Sequence, residues 1–388
     1  MAAFDSIVNV DEWISDHYLT TDDKGASFTK RVKACVKDWK TGSGEFAGGD
    51  PWERFKAHRG AIQRLLAELS IEINRTDESS PQVLQLVDAC HTIIREALGY
   101  APATEVSQAH GSTTMGFTGS STPNSGLVTI DALPVDDMED LVKTTPRQGL
   151  KTWTAGKQDS AKSTEWTTGK LVGELFLADN PSAYIVVFAG SWILLAERES
   201  WPLGRYLAID IRLAVDRNDQ QSAGELQRIV TALARENTSR AADGTTWWDG
   251  TINESREHAV KVSEELRGAV KQSIEIIGND VLTRYRQQNK HDQLEALDGN
   301  ELAKQALRYL YRILFLLFAE ARPELNILPT GAPEYDEGYG LSRLRDLVLS
   351  PPESYAAKQG THLYESMQVL FDLVNNGHEP SPPPRDFC

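Results

Sequence analysis

The chain has 388 residues, of which 40% are hydrophobic and 25% are charged, and its net charge is −16. This composition is typical of a globular protein with two or three domains of roughly 100–200 residues each. Affinity for nucleic acid comes mainly from Lys and Arg side chains that neutralise phosphates, so the acidic balance argues against a stand-alone DNA-binding protein and leaves only a local basic face or a role within a larger DNA-binding protein.

Residues 1–102 are predicted to form a helical region, because apolar residues recur at helical spacing from residue 61 onward. A further helix is predicted from Ser80, which precedes a proline and is a suitable N-cap, to a C-cap at Gly99. Within it Cys90 and His91 are adjacent, and neighbouring side chains on a helix diverge by about 100°. We therefore expect a buried thiol beside a surface imidazole.

Two glycine-containing stretches interrupt this pattern. Residues 41–51 (TGSGEFAGGDP) are predicted to be a loop. Residues 103–126 are rich in Ser, Thr and Gly, and they are predicted to be a flexible linker that ends the first region. A weak edge strand within this stretch is the alternative interpretation.

Residues 127–245 are predicted to form an α+β domain. LVTIDAL at 127–133 is a short apolar run with β-branched residues, which favours a strand. AYIVVFAGSWILLAE at 183–197 predicts a hairpin around its central Ala-Gly-Ser turn. A further strand is predicted within 204–215 and a short helix within 225–235, so strands should pack beside helices in one layer.

Residues 252–378 are predicted to be helical again, which makes the predicted fold class α+β overall. Asn253 and Ser255 are candidate caps for the first helix. The strongest helix is predicted from residue 301 to residue 322, after a capping box that begins at Asp298 and before a proline that ends it. It is apolar on most sides, so we expect it to lie at the centre of a helical domain.

The cysteines and the apolar runs argue against other classes of protein. Cys35, Cys90 and Cys388 are odd in number and widely spaced, which argues against a disulfide framework and a zinc site. The most apolar run, residues 313–319, is far shorter than the roughly 20 residues needed to span a bilayer, and the amino terminus lacks the features of a signal peptide. We therefore expect a cytoplasmic protein with no membrane partner. The proline-rich residues 379–388 are predicted to be disordered.

Several apolar and aromatic segments follow one another in a characteristic order. They are IVNVDEWISDHYL at 7–19, the strand-rich segment 182–219, LYRILFLLFAEARPELNILP at 310–329, Tyr335 and Tyr339, LSRLRDL at 341–347, and LYESMQVLFDLVNNG at 363–377. In this order the chain resembles the amino-terminal part of fused type II restriction–modification proteins and of the related methylases of the BREX and DISARM phage-defence systems.

The resemblance implies a DNA-related role, because these proteins transfer a methyl group from S-adenosylmethionine to adenine N6 in DNA. That chemistry requires a Gly-rich loop after a strand and an Asn-Pro-Pro-aromatic tetrapeptide that holds the flipped base. The nearest stretches here, 41–49 and Asn-Pro-Ser-Ala at 180–183, lack these features. We therefore expect an amino-terminal fragment that scaffolds or positions DNA without the methylase active site, with DNA and other restriction or phage-defence subunits as partners. S-adenosylmethionine is expected only for the full-length protein.

Some members of that family carry a metal-dependent nuclease, which needs acidic residues on neighbouring strands to hold Mg²⁺ and a Lys beside them. Asp131 and Asp210 end predicted strands and Glu174 is a candidate partner, but Leu and Arg occupy the Lys positions. An acidic residue at the end of an apolar strand is common at any sheet rim. We therefore expect at most a degenerate nuclease-like layer, with an active Mg²⁺-dependent endonuclease as the alternative function.

The candidates for contacts with DNA are Lys304, Arg308 and Arg312 on the main helix, and Arg343 and Arg345 after it. Basic residues on a helix usually form a solvated face, and contacts with DNA here would be made to phosphate. Trp247 and Trp248 are interpreted as a hydrophobic junction between the middle and last domains, with base stacking as the alternative. The remaining alternative function is a helical protein-interaction module unrelated to DNA.

Overall fold

The structure is a computed structural model that describes residues 5–21, 25–42, 49–76, 80–122, 125–154, 160–288, 298–341 and 360–377. The chain divides into two compact units, which we call unit 1 (Met1–Val262) and unit 2 (Ser263–Cys388). The described strands all belong to unit 1, and the described part of unit 2 is helical. The fold is therefore α+β, as predicted. No helix among the described residues combines the length and the apolar character needed to cross a membrane.

The described strands of unit 1 form one mixed sheet of nine strands, in the order β1-β9-β8-β7-β4-β3-β5-β6 with β2 paired to β3. They are β1 (Ile7–Val10), β2 (Thr104–His110), β3 (Thr113–Ser121), β4 (Leu127–Asp131), β5 (Leu150–Thr154), β6 (Lys162–Thr164), β7 (Tyr184–Ala189), β8 (Trp192–Glu197) and β9 (Tyr206–Asp210). Strands β4 and β7 pair in parallel, whereas β7, β8 and β9 alternate in direction. Consequently β4, β7 and β9 all end at the same edge of the sheet, which we call the carboxyl edge.

Helices cover both faces of this sheet and continue into unit 2. They are α1 (Asp16–Thr20), α2 (Phe28–Thr41), α3 (Pro51–Ile73), α4 (Pro81–Leu98), α5 (Thr168–Phe176), α6 (Ile211–Arg217), α7 (Glu225–Leu233), α8 (Arg235–Thr238), α9 (Trp247–Gln288), α10 (Gly299–Ala321), α11 (Pro333–Gly338) and α12 (His362–Asn376). Along β7, Val186 and Phe188 join the core beneath α2, α3 and α4, while Ile185 and Val187 join a second core with α5. Strand β7 is therefore buried on both faces, which explains its continuous apolar sequence.

Local signals in the sequence predict several of these elements correctly. Strands β7 and β8 form the predicted hairpin, whose two-residue turn contains Gly190 at a φ of 72°. Ser80 caps α4 by accepting a hydrogen bond from the backbone of Val83, and Gly99 ends the helix in the left-handed conformation. Asp298 caps α10 through the backbone N–H of Asn300.

The prediction of a flexible linker at residues 103–126 is wrong, because β2 and β3 lie in this segment and β2 is an edge strand. The glycines of β3 reflect close packing and not flexibility. A Cβ atom on Gly119 would lie 1.8 Å from the backbone oxygen of Thr129 on β4, and one on Gly116 would lie 2.7 Å from the ring of Trp153 on β5. Unit 1 thus joins the two segments predicted as separate domains, and β1 extends the sheet from the segment predicted to be helical.

Helix α9 begins earlier than predicted. Thr246 accepts a hydrogen bond from the backbone of Asp249, whose carboxylate accepts one from the backbone of Thr246 in return. This reciprocal capping box starts the helix at Trp247. The predicted cap Ser255 lies inside the helix, where its hydroxyl accepts a hydrogen bond from the backbone of Ser15.

Unit 2 has a core of its own, to which α10 contributes Leu316 and Ala319 and α12 contributes Leu370 and Phe371. Helix α10, which was expected at the centre of a helical domain, contributes to this core, but within the described residues its side chains at 311, 315, 317 and 318 are exposed. The predicted loop at 41–51 lies partly, and the predicted disordered tail at 379–388 wholly, outside the described residues.

Candidate functional site

Asp131, the first nuclease candidate, is buried at the carboxyl end of β4. Its Oδ1 oxygen accepts hydrogen bonds from both Nε and Nη2 of Arg95, a fully buried side chain on α4. The same guanidinium donates to Thr129 Oγ1 at 2.8 Å and to Ser120 Oγ at 3.3 Å. The carboxylate is therefore committed to an internal ion pair that ties α4 to the sheet.

His91 is the third member of this buried cluster, and its burial shows that the predicted surface position for the imidazole is wrong. Its Nε2 atom accepts a hydrogen bond of 2.9 Å from the backbone N–H of Gly190, so Nδ1 is the ring nitrogen that carries a proton. That atom is 3.8 Å from Asp131 Oδ2. Burial alone would raise the pKa of Asp131, but His91 and Arg95 together hold it below its ordinary value of 3.8.

Asp210 and Glu174, the other nuclease candidates, also have structural partners. Asp210 caps α6 by accepting hydrogen bonds from the backbone N–H groups of Arg212 and Leu213, while burial raises its pKa. Glu174 on α5 lies 3.0 Å from Nδ1 of His110 at the end of β2. Each of these carboxylates thus already has a partner in the folded chain.

The carboxyl edge does not bring Asp131 and Asp210 together. Asp131 is in register with Phe188 on β7, and Asp210 with Trp192 on β8. Three strand spacings therefore separate the two acids, about 14 Å across the sheet. Two oxygens that bind one Mg²⁺ lie within about 4 Å of each other. In keeping with this, no group of three His, Cys, Asp or Glu side chains placed to hold a metal occurs among the described residues.

The predicted basic residues of α10 form an exposed row, which we call the α10 basic row: Lys304, Arg308 and Arg312. Successive members are four residues apart, so they follow one another at about 6 Å along one side of the helix. None of the three forms an ion pair with another described residue. Arg312 contacts the ring of Phe371, with its guanidinium carbon 5.6 Å from the ring centre. The row therefore presents three positive charges that remain available to an anion.

An aromatic cleft of about 650 Å³ lies beside this row, between α9, α10 and α12 within unit 2. Arg308 and Arg312 line it together with Tyr309 and Tyr364, whose rings stack with centres 6.0 Å apart. Asp280 is a carboxylate at the cleft, and it is paired with Arg284 at 2.8 Å. Cationic groups that hold phosphates beside aromatic rings that contact bases are the combination used to bind nucleic acid.

The tryptophan pair does not belong to such a surface. Trp248 is fully buried, its ring centre is 4.6 Å from that of Trp13, and its indole N–H donates to the backbone of Ala232. Trp247 is partly buried and packs edge-on against Phe28. Base stacking by Trp248 is therefore excluded by burial, and the pair packs inside unit 1, in place of the predicted junction between domains.

The sequence does not reveal the role of Arg95 and His91, because their partners lie far away in the chain. The one signal in the sequence is that His91 and Arg95 are four residues apart, which places them on the same face of the helix. The candidates Arg343 and Arg345 lie outside the described residues.

Comparisons with known proteins add no family assignment. No protein family matches the chain, and neither a curated protein nor a solved structure matches it.

Proposed function

We propose that this chain is the amino-terminal, DNA-positioning part of a restriction–modification protein of the adenine-N6-methylating kind, which acts in phage defence. It serves as a scaffold and contacts the DNA backbone, with other restriction or phage-defence subunits as further partners. S-adenosylmethionine and the target adenine are bound by a different part of such a protein, since this sequence contains neither of the motifs that they require. This role places the protein in the cytoplasm.

The observation that carries the proposal is the α10 basic row beside the aromatic cleft. Arg312 lies in residues 310–329, one of the segments that resemble the restriction–modification family, and Lys304 and Arg308 lie in the two turns just before it. In a chain with net charge −16, three neighbouring cations without acidic partners in the described structure create a local positive surface. Contacts of this kind fix the position of DNA without reading its sequence.

The test is a binding titration with a fluorescent DNA duplex of about 20 base pairs, repeated between about 50 and 200 mM salt. The variant Lys304→Ala/Arg308→Ala/Arg312→Ala removes three phosphate contacts. We expect it to bind about tenfold more weakly or worse at the lowest salt, and we expect the slope of log K against log salt to become shallower by about 2.7.

A matched control removes the same charge elsewhere in unit 2. The variant Arg267→Ala/Lys271→Ala/Arg286→Ala takes three exposed cations from α9, and it should bind DNA as the unmodified chain does. Equal loss in both variants would mean that only net charge matters, which contradicts the proposal.

Two further outcomes would favour the alternative functions. A chain that binds no DNA at low salt would favour a protein-interaction module. Mg²⁺-dependent cleavage of plasmid DNA by the unmodified chain, abolished by Asp210→Ala, would favour a nuclease. We expect no cleavage, because the three candidate acids hold structural partners and two of them are about 14 Å apart.

A further inference from the structure

A second basic site lies in unit 1, where no sequence motif predicted one. A cleft of about 450 Å³ opens between α2, α3 and the segment that leads into α7. Its walls carry Lys33, Lys37 and Lys40 of α2 and Lys56 of α3, and Gln227 of α7 lies at its base. We call this cleft the lysine cleft. It belongs to a different unit from the α10 basic row, so the two sites can be tested by separate substitutions.

The spacing of the α2 lysines places all three on the same wall. Positions 33, 37 and 40 differ by four and three residues, the separations at which helical side chains are neighbours. The core-facing positions between them, Val36 and Trp39, are buried, which directs the lysines outward. From the first to the third lysine the helix rises about 10 Å. The site is therefore an elongated stripe of charge and not a socket for one small ion.

Among the described residues, the lining of the cleft contains no carboxylate, although the chain has 56 acidic residues against 40 basic ones. Lys33, Lys37 and Lys40 form no ion pair with any described residue. Lys56 lies 2.6 Å from Glu53 on its own helix. Like charges that are gathered without counter-charges repel one another, and an anion bound among them relieves that repulsion.

The base of the cleft also favours an anion. Gln227 is buried, and its Oε1 oxygen accepts a hydrogen bond of 2.7 Å from the backbone N–H of Ala223. With that oxygen engaged, the amide NH₂ group is the part of this side chain left to meet a ligand. Lys56 lies over the ring of Trp52, 5.6 Å from its centre, and Trp52 is almost fully buried.

These features select among anions. The covered ring of Trp52 offers no free face on which a nucleotide base would stack, so the site does not select a free nucleotide. The apolar lining residues Val36 and Trp52 are both buried, so the part of the cleft that the structure describes has no exposed apolar flank to enter a lipid surface. A stripe of ammonium groups about 10 Å long matches several consecutive phosphates.

We propose that the lysine cleft binds the phosphate backbone of nucleic acid, independently of base sequence. Lysine is a point charge without the forked geometry of arginine, which suits contacts that bind phosphate without fixing one orientation. Each of the two units would then have a basic surface for the same class of polymer.

The first experiment compares the full chain with Lys33→Ala/Lys37→Ala/Lys40→Ala in titrations with a fluorescent duplex at several salt concentrations. We expect at least a tenfold loss of affinity at about 50 mM salt and a salt slope shallower by about 2.7. The conservative variant Lys33→Arg/Lys37→Arg/Lys40→Arg keeps the charge and should retain binding. Lys151→Ala/Lys162→Ala/Lys170→Ala, which removes exposed lysines elsewhere in unit 1, is the matched control and should be unchanged.

The second experiment localises the contact. Lysine acetylation, read by mass spectrometry with and without the duplex, should show protection of Lys33, Lys37 and Lys40, while Lys162 continues to react. Unchanged affinity of the alanine variant, no protection, or no binding of DNA by the unmodified chain would each overturn the proposal. Displacement of the duplex by inorganic phosphate at constant ionic strength would identify a site for small anions, and capture by anionic phospholipid vesicles in place of DNA would identify a lipid site. Either result would also overturn it.

The two proposals fail separately. Loss of binding in the lysine variant with normal binding in the α10 variant would remove the observation behind the proposed function and leave the lysine cleft standing. Normal binding by the lysine variant with loss of binding in the α10 variant would overturn the lysine-cleft proposal and leave the proposed function supported. Comparable losses in both variants, and a larger loss in the combined variant, are expected if both surfaces contact one DNA molecule.

Discussion

Replacing Asp131 with Asn tests whether its buried ion pair with Arg95 stabilises the fold of unit 1. Asp131 and Arg95 are both buried, with 5% and 1% of their surface exposed, and the substitution leaves the guanidinium without its counter-charge. Breaking a buried ion pair from one side costs about 3–5 kcal/mol of folding stability. For a unit of this size, about 2–4 °C of melting temperature corresponds to each kcal/mol, so we expect a decrease of roughly 6–20 °C.

Tryptophan fluorescence is the appropriate signal, because all nine tryptophans lie within unit 1. Urea unfolding followed in this way reports on the unit that contains the ion pair. The control is Asp88→Asn, which breaks the ion pair between Asp88 and Arg147. The Asp88 side chain is half-exposed, unlike that of Asp131. Arg147 keeps a hydrogen bond to the backbone of Leu84, so the control should lose less than about 1 kcal/mol.

The double variant Arg95→Met/Asp131→Asn separates the ion pair from general disruption. It removes the stranded charge, so it should be more stable than Asp131→Asn alone. The lowered pKa of Asp131 also sets the direction of pH dependence. A carboxyl group whose pKa is lower in the folded state stabilises the fold above its ordinary value of 3.8, and it loses that contribution as the pH falls below 3.8 through the folded pKa.

Two results would refute this reasoning. A loss for Asp131→Asn no larger than that of Asp88→Asn would mean that the ion pair does not support the fold. A gain in stability on substitution would indicate a carboxylate kept for chemistry and not for structure.

The other predictions concern packing, thiols and methyl transfer. Gly119→Ala should destabilise unit 1 by more than about 2 kcal/mol in urea unfolding, because its Cβ would meet the backbone of β4. The control Gly60→Ala, in open space on α3, should instead stabilise unit 1 by about 0.5–1 kcal/mol. Equal effects of the two substitutions would contradict the close packing of β3. Burial raises the pKa of Cys35 and of Cys90 to about 12. In a Cys388→Ser variant, Ellman's reagent should therefore modify neither thiol before the protein unfolds. A fast-reacting thiol would show that one of the two is accessible. Incubation of the chain with labelled S-adenosylmethionine and DNA should transfer no methyl group, because the base-binding tetrapeptide is absent from the sequence, and any transfer would contradict the proposed division of labour.

Some features of the candidate sites follow from short-range sequence patterns. The α10 basic row is an example, because residues four apart lie on the same side of a helix whatever the rest of the chain does. Its lack of ion-pair partners among the described residues and the stacked tyrosines beside it depend on α9 and α12, and they emerge only in the folded unit. The lysine cleft is similar, since α2 supplies three lysines at helical spacing but α3 and α7 make them the wall of a cleft.

Local sequence patterns were sufficient to predict the fold class, the β7–β8 hairpin, both caps of α4 and the N-cap of α10. Those features depend on hydrogen bonds and conformational preferences within a few residues. The strands β2 and β3 within residues 103–126, the burial of His91 and the ion pair of Asp131 with Arg95 became apparent only in the folded chain. Each of these depends on backbone or charge brought close from distant parts of the chain, and burial makes an unpaired charge or a misplaced Cβ too costly for local preference to prevail.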